Sequence, residues 1–313
     1  MSFTTLLKIL SRHVWDVPVW HAGPMTSKTQ EPTVARWVLA RELRRLRGDR
    51  SAAQVAKALR SQPSSLGRWE SGGPDGQVPG VARLEKLLEV YEADSEEAER
   101  LMSLREAART PGWWQGHDVE KPYGTFIGLE EAAADVSAYE AQLIPGLLQT
   151  PDYTHAVVRA GHAPMRAPVE DISDRVAVRM KRQEAWLSRR TPHVWAIIGE
   201  AAPRTLVGGT DVMRDQLEHL LKLAEQQDVL TLQILPYAAG AHAAMELPAF
   251  TILEVADVGL SSVYLEGPTM DIFMDDPKDV TTYQRVFEHL RKSALNSSDS
   301  RALITEILEG LPS

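Results

Sequence analysis

The chain has 313 residues, no cysteine and a formal charge of −9, with 43% hydrophobic and 25% charged residues. A chain of this length commonly forms two domains, and its apolar fraction suffices for a folded core. The composition excludes collagen, wholesale disorder, a disulfide scaffold, cysteine–zinc sites and a cysteine nucleophile. No apolar stretch of the sequence reaches the roughly 18 to 20 residues of a membrane span, so we expect a cytoplasmic protein with no membrane partner.

The negative charge is unevenly distributed along the sequence. Residues 33–70 hold nine Lys and Arg against three Asp and Glu, whereas residues 111–313 hold 17 Lys and Arg against 29 Asp and Glu. An evenly acidic protein would repel a polyanion such as DNA, but a basic segment can bind one. The asymmetry therefore predicts a small basic module joined to an acidic one.

The beginning of the chain lacks the features of a secretory signal, which needs a continuous apolar run and a small-residue cleavage site. Pro18 and Pro24 break the short apolar stretch there. We expect residues 1–32 to form a disordered N-terminal extension, and the sequence is compatible with translation from Met1 or from Met25.

Helical periodicity begins after this extension. Apolar residues recur at spacings of three and four from Val34 onwards. Ser51 has the chemistry of an N-cap, Pro63 suits the first turn of a helix, and Pro111 follows the last helical pattern. Residues 33–110 are therefore predicted to form one compact all-α module of five helices.

Within this module, the segment from Ser51 to Gly72 has the pattern of a helix-turn-helix. Small Ala56 permits a close crossing of the two helices, and Leu66 supplies apolar contact between them. Polar residues on the exposed side of the second helix can then enter the major groove, where Arg68 can donate two hydrogen bonds to guanine. The predicted base-reading residues are Gln62, Ser64, Ser65 and Arg68, and the predicted phosphate contacts are Arg36, Arg41, Arg44, Arg45, Arg47 and Lys57.

One motif of this size covers about one half-site of double-stranded DNA. Specific binding therefore predicts a homodimer on a pseudo-palindrome whose half-sites lie about 34 Å apart, or a multiple of that distance. The structural alternative is a solvated helical bundle with basic faces, which the local excess of positive charge disfavours.

Beyond residue 112 helical and strand-like patterns alternate. Helices are predicted at 125–141, 151–161, 169–189, 211–226, 277–294 and 299–310. Strands are predicted at 193–199, 229–235, 249–255 and 261–265. We therefore expect an α+β fold class, with residues 111–313 forming an α/β domain in which helices cover a small, mainly four-stranded sheet.

Three arginines on one predicted helix face are candidates for binding a ligand or a partner. Arg175, Arg179 and Arg182 could bind an anionic ligand or an acidic protein, and internal ion pairs or a solvated face are the alternative that the pattern favours.

Three further residues are candidates because they lie at or near predicted strand ends. Glu200, His242 and Glu266 offer carboxylates and an imidazole for acid–base chemistry, but tens of residues separate them and no local motif fixes their geometry. The sequence also lacks the patterns of zinc proteases, calcium loops and phosphate loops. We therefore predict no catalytic residue, no metal site and no cofactor.

At Trp69-Glu70-Ser71-Gly72 the sequence resembles the Xre/Cro family of bacterial helix-turn-helix regulators, whose motif ends in an aromatic or aliphatic residue, Glu and a nearby Gly. The resemblance extends to the WhiJ-like and antitoxin-like regulators of actinomycetes. It is carried by Gly112-Trp113-Trp114, Ile144 to Thr150, Arg182-Gln183, Gly199-Glu200-Ala201 and Val263 to Glu266. The resemblance implies a lambda-repressor-like DNA-binding domain followed by a large C-terminal domain, often with a small partner protein encoded nearby.

These observations predict a transcriptional regulator whose C-terminal domain senses a ligand or a partner. One alternative is an antitoxin-like interaction protein that binds a small cognate partner and regulates its own gene. A lower alternative is that the C-terminal domain is an enzyme.

Overall fold

The computed structural model describes residues 31–117, 119–162, 169–226, 228–267 and 270–312. The predicted disordered extension lies outside the described residues, apart from residues 31 and 32. No helix in these ranges has the length and the apolar character needed to cross a lipid bilayer.

The N-terminal part is a bundle of five helices, as predicted. They are α1 (Pro32–Arg47), α2 (Ala52–Ala58), α3 (Pro63–Trp69), α4 (Val81–Tyr91) and α5 (Ser95–Ala107). Their apolar stripes meet in a common core, in which Leu43, Leu66, Leu84 and Leu101 are completely buried. This burial explains why helices as short as α2 and α3 are stable, because packing of an amphipathic face outweighs the marginal stability of an isolated short helix.

The C-terminal part combines a sheet with seven helices of the described chain. The helices are α6 (Lys121–Ala132), α7 (Pro151–His162), α8 (Val169–Arg189), α9 (Ala201–Arg204), α10 (Thr210–Ala224), α11 (Pro277–Ser293) and α12 (Ser297–Glu309). The strands are β1 (Asp135–Glu140), β2 (His193–Gly199), β3 (Leu230–Leu235), β4 (Phe250–Val255), β5 (Leu260–Leu265) and β6 (Ile272–Met274). The mixed composition confirms the predicted α+β class.

The sheet has the order β3-β2-β1-β4-β5-β6. Strands β1, β2 and β3 are parallel, and β4, β5 and β6 are each antiparallel to the strand before them in this order. The carboxyl ends of β1, β2, β3 and β5 therefore lie at the same edge of the sheet, here called the carboxyl edge. The segments that leave this edge carry Glu200, His242 and Glu266.

The sheet is larger than the predicted four strands. All four predicted strands are present, but the predicted helix 125–141 ends at Ala132 and its last third is the central strand β1. The run Glu131-Ala132-Ala133-Ala134 has high helical propensity, so the predicted helix continues through it into the residues of β1. Pairing of β1 with β2 and β4 decides its conformation instead. The three-residue strand β6 was too short to predict.

Helix α1 connects the bundle to the sheet. The Trp37 indole nitrogen donates a hydrogen bond to Asp275 Oδ2 at 2.8 Å, and the Trp37 ring lies 5.9 Å from that of Phe273 in β6. Arg36 donates to Thr125 Oγ1 on α6 at 3.2 Å. The helical bundle is thus docked on one edge of the sheet by direct side-chain contacts.

Candidate nucleic-acid interface

The helix-turn-helix consists of α2, a short turn and α3. Ser51 and Gln54 form a reciprocal capping box at the start of α2, with bonds of 3.2 and 2.8 Å between each side chain and the other residue's backbone N–H. Arg60 adopts a left-handed conformation after α2, and the Ser61 N–H donates to the Ala56 carbonyl at 2.9 Å. This arrangement closes the end of α2 and redirects the chain into α3 at Pro63.

The outer surface of α3 is polar and accessible. Gln62, Ser64 and Arg68 are exposed, and Ser65 is half-buried. Gln62 occupies the N-cap position but makes no capping bond with its side chain, so its amide is available to an external partner. Leu66 faces the core on the opposite side. The four predicted base-reading residues therefore share one accessible surface at and along α3.

The sequence Trp69-Glu70-Ser71-Gly72 fixes the end of α3 against α1. The buried Glu70 carboxylate accepts from Arg47 Nε at 2.8 Å, and the Glu70 carbonyl accepts from Arg44 at 2.6 Å. A Cβ added at Gly72 would lie 2.6 Å from Cδ2 of Trp37, so only glycine permits this close approach. The motif that resembles the Xre/Cro family thus has a structural role, which is to orient α3.

Most of the predicted phosphate contacts are engaged within the chain. Five of the six have intramolecular partners: Arg36 with Gly72 and Thr125, Arg41 with Gly259, Arg44 with Glu70, Arg45 with Glu42 and Glu97, and Arg47 with Glu70 and Arg50. Arg36 is half-buried, and its burial lowers the pKa of the guanidinium. Lys57 is the one member of the six whose side chain is exposed and makes no hydrogen bond or ion pair with a described residue. This geometry disfavours Arg36 and Arg47 as phosphate contacts and leaves Lys57 as the strongest candidate.

Two families of known proteins match the chain. A family described as "Helix-turn-helix domain" matches residues 38–101, which include α2 and α3. A family described as "Domain of unknown function (DUF5753)" matches residues 123–306, more than half of the chain. The chain belongs to the DUF5753 family. Comparison with curated proteins and with solved structures gave no match. The helix-turn-helix match supports a DNA-binding regulator, and it includes the accessible surface of α3.

In the DUF5753 domain the three candidate arginines of α8 have different environments. Buried Arg182 makes two bonds with Glu130, from Nε at 2.8 Å and from Nη2 at 2.7 Å. Arg175 is exposed and pairs with a glutamate at 3.3 Å. Arg179 donates to Gln149 Oε1 at 2.8 Å. Arg175 and Arg182 therefore form internal ion pairs, which was the alternative that the pattern favoured. Arg179 is the one of the three that pairs with no carboxylate among the described residues.

The structure does not bring Glu200, His242 and Glu266 together. Buried Glu200 accepts from the Tyr237 N–H at 2.7 Å and from an arginine of α9, so its carboxylate joins the ends of β2 and β3. His242 packs against β1 on the face of the sheet that α11 covers. Exposed Glu266 follows β5, which β1 and β4 separate from β2. Within the described ranges no group of three or more His, Asp or Glu is arranged to hold a metal ion.

Sequence reasoning missed Glu140, the last residue of β1. Burial raises the pKa of Glu140 to about 8, the negative charge of Glu266 adds to this rise, and the guanidinium of Arg179 opposes it. The signal was available in the sequence, because β1 ends in Glu and Glu200 and Glu266 immediately follow β2 and β5. Glu140 was not recognised as a strand end because the sequence pattern of β1 predicts the end of a helix.

The loop after β1 is held rigidly beside Glu140. In the segment from Ile144 to Thr150, Gln149 donates to the Ile144 carbonyl at 2.6 Å. Gln216 of α10 accepts from the Thr150 N–H at 2.7 Å and donates to the Leu148 carbonyl at 2.8 Å. Gln183 of α8 donates to the Gly146 carbonyl at 3.3 Å. Three glutamines thus satisfy the polar backbone of a largely buried loop, as such a loop requires.

Proposed function

We propose that the chain is a sequence-specific DNA-binding transcriptional regulator of the Xre type, in which α3 enters the major groove and the DUF5753 domain senses a ligand or a partner. The observation that carries the proposal is the accessible polar surface of α3, held by α2 and by the contacts of Glu70 and Gly72 with α1. The resemblance to the WhiJ-like regulators of actinomycetes and a location in the cytoplasm belong to the same proposal.

Within this proposal Arg68 reads a base and Lys57 contacts a phosphate. Arg68 is exposed near the end of α3, and its only bond to a described side chain is a long one of 3.4 Å to Ser65 Oγ. The guanidinium is therefore free to donate to guanine O6 and N7. One helix-turn-helix covers one half-site, so the DNA-bound form is a homodimer on a pseudo-palindrome.

The test uses DNA fragments that the full chain selects from a random pool. In gel-shift titrations Arg68→Ala should lose about 1 to 3 kcal/mol on the selected sequence and much less on unrelated DNA. Lys57→Ala should weaken both equally and lower the slope of log K against log salt by about 1. Arg285→Ala removes an exposed arginine from α11 and is the matched control for loss of charge. Equal losses on both DNAs for Arg68→Ala would refute base reading.

A second candidate function is the antitoxin-like one, and the exposed apolar residues of the carboxyl edge favour it. Leu143, Leu206, Tyr237, Met245, Met270 and Ile272 are exposed large apolar side chains in segments that leave or enter this edge. Tyr237, Met245 and Met270 each expose 64 to 68% of their surface. Exposed apolar side chains that share one edge of a sheet are candidates for a protein interaction site.

Co-expression with the product of the neighbouring gene tests this second candidate. The complex should survive size-exclusion chromatography for the unaltered chain and be lost for the double variant Tyr237→Ser/Met245→Ser. Val81→Ser removes a comparably exposed apolar group from α4 and should leave the complex intact. If both variants behave alike, the carboxyl edge is not the partner surface.

A further inference from the structure

One long connection crosses the carboxyl edge of the sheet. Strand β3 ends at Leu235 and β4 begins at Phe250, so the 14 residues from Pro236 to Ala249, here called the strap, join them. In the sheet β2 and β1 lie between β3 and β4, and the strap therefore passes the ends of both strands. Apart from one 3-10 turn it has no secondary structure. Irregular loops longer than about 12 residues are uncommon in compact domains and usually have a function.

The strap is anchored to the sheet at its beginning and at its middle. The Tyr237 N–H donates to the buried carboxylate of Glu200 at the end of β2, at 2.7 Å. The ring of His242 lies 6.3 Å from that of Tyr139 in β1. Ala244 is 2% exposed and belongs to the core between the sheet and α11. The backbone of the strap is therefore held in place, so its outward residues form a preorganised surface.

The outward residues of the strap are almost all apolar. Tyr237 and Met245 expose 64% and 65% of their surface. Four smaller apolar residues of the strap are also exposed, namely Ala238, Ala241, Ala243 and Pro248. Single exposed apolar residues are common on protein surfaces, whereas a contiguous group of them marks an interaction site. Tyrosine and methionine are also among the residues enriched at protein interfaces.

The distribution of charge indicates what covers the strap. Glu246 is its one formally charged residue, and residues 141–149 after β1 hold none, whereas residues 111–313 hold 29 Asp and Glu against 17 Lys and Arg. Two copies of such an acidic domain repel each other wherever their carboxylates meet. The exposed Glu266 follows β5, beyond the end of the strap. The strap therefore lets two copies meet with little repulsion, and it offers almost no charge by which a basic partner could recognise it.

The apolar area of the strap is sufficient for a dimer. Tyr237 and Met245 together expose roughly 250 Å², taking about 200 Å² for a fully exposed large side chain. The four smaller residues and Leu143, which follows β1 and is 38% exposed, bring the apolar area to the order of 500 Å². An interface of standard size buries about 800 Å² of each partner, of which somewhat more than half is apolar.

We propose that the strap is the surface through which two copies of this chain form a symmetric dimer. A two-fold axis places the same surface of each copy against the other, which suits an apolar and nearly uncharged surface. The inference rests on the function proposed above in one respect, since it supplies the contact of the homodimer that binds DNA there. The association itself does not require DNA.

The experiment is analytical ultracentrifugation of the full chain, without DNA, over a range of protein concentrations. We expect a reversible monomer–dimer equilibrium whose dissociation constant rises at least tenfold in the double variant Tyr237→Ser/Met245→Ser. Val81→Ser, which alters an exposed apolar residue of α4, is the matched control and should dimerise as the unaltered chain does. All three altered residues are exposed, so the variants should fold, which circular dichroism checks. Because the contact is apolar and both copies are acidic, added salt should leave the dissociation constant unchanged or lower it.

The absence of cysteine from the sequence permits a direct test of which surface is used. In the variant Ala241→Cys the single thiol lies on the strap, between Tyr237 and Met245, at an exposed position. Treatment with a flexible bis-maleimide should convert this variant to covalent dimers. Val81→Cys carries an equally accessible thiol on α4 and should stay monomeric on a denaturing gel.

Four results would each overturn the proposal: a chain that stays monomeric at every concentration, an unchanged dissociation constant for the double variant, a dimer that dissociates as salt is added, and equal cross-linking of the two cysteine variants. Gel shifts of the same preparations report on DNA binding alone. A dimer that binds no DNA would refute the regulator and leave the dimer surface standing. DNA binding by a chain that is monomeric in solution would refute only the dimer surface.

Discussion

Replacement of Gly72 by alanine tests how tightly α3 is fixed to the rest of the molecule. The added methyl carbon would lie 2.6 Å from Cδ2 of Trp37 and closer still to two other ring atoms. Ordinary carbon–carbon contacts are about 3.5 to 4.0 Å, so the ring or the backbone must move by about 1 Å. Trp37 is 3% exposed, and such a shift stretches its 2.8 Å hydrogen bond to Asp275. Overpacking costs about 1 to 3 kcal/mol and the weakened bond about 1 kcal/mol.

We therefore expect Gly72→Ala to lower the free energy of unfolding by about 2 to 4 kcal/mol. Gly67→Ala is the matched control, because Gly67 lies in α3 and a Cβ there meets no atom within 4 Å. That change should raise the free energy of unfolding by about 0.8 to 1 kcal/mol through helix propensity. Chemical denaturation followed by circular dichroism measures both values. A Gly72→Ala protein within about 0.5 kcal/mol of the unaltered chain would refute the close packing of Gly72 on Trp37.

Two further predictions concern stability. Glu130→Gln removes one partner of the buried pair with Arg182 and should lower the free energy of unfolding by about 3 to 5 kcal/mol in denaturation experiments. The control Glu288→Gln breaks the exposed pair with Arg291 and should lower it by less than about 1 kcal/mol. Similar losses for the two variants would contradict the burial of the Glu130–Arg182 pair. Glu31 caps α1 by accepting from the N–H groups of Thr33 and Val34, and burial raises its pKa to about 7. Because the unfolded chain has the lower pKa of 4.5, the folded state binds the proton more tightly, and the free energy of unfolding should fall as the pH rises from about 4.5 through 7. Glu31→Gln keeps an acceptor without the ionisation, so its unfolding free energy should change less between pH 5 and pH 8, and an unchanged pH dependence would count against the raised pKa.

Local patterns in the sequence predict much of the architecture. Helix α8 and strand β2 begin and end at the predicted residues, because the periodicity of α8 is long and β2 has clear boundaries at Pro192 and Gly199. The central strand β1 is the main error, since its conformation depends on neighbours that lie about 60 and 115 residues away in the sequence.

The candidate sites also divide into residues that local sequence predicts and residues whose role depends on distant parts of the chain. The polar surface of α3 follows from residues within a single helix and could be predicted. The role of Arg47 could not, because its partner Glu70 lies on another helix, and a sequence of basic residues does not tell an ion pair from a free cation. Glu140 was missed for a related reason, since its burial and its charged neighbours come from other elements of the fold.

The docking of α1 on the sheet has a consequence for the DNA site of the proposed homodimer. The contacts of Trp37 with Asp275 and Phe273 fix α1, and with it α3, against the sheet. The direction of α3 relative to the sheet is therefore fixed, which a flexible linker would not achieve. If the proposed homodimer is joined through its C-terminal domains, the rotational position of each α3 on the duplex is set by the whole chain. An insertion of about five base pairs between half-sites turns one of them to the opposite side of the duplex. Two helix-turn-helix domains that are fixed to their C-terminal domains could not rotate to follow it.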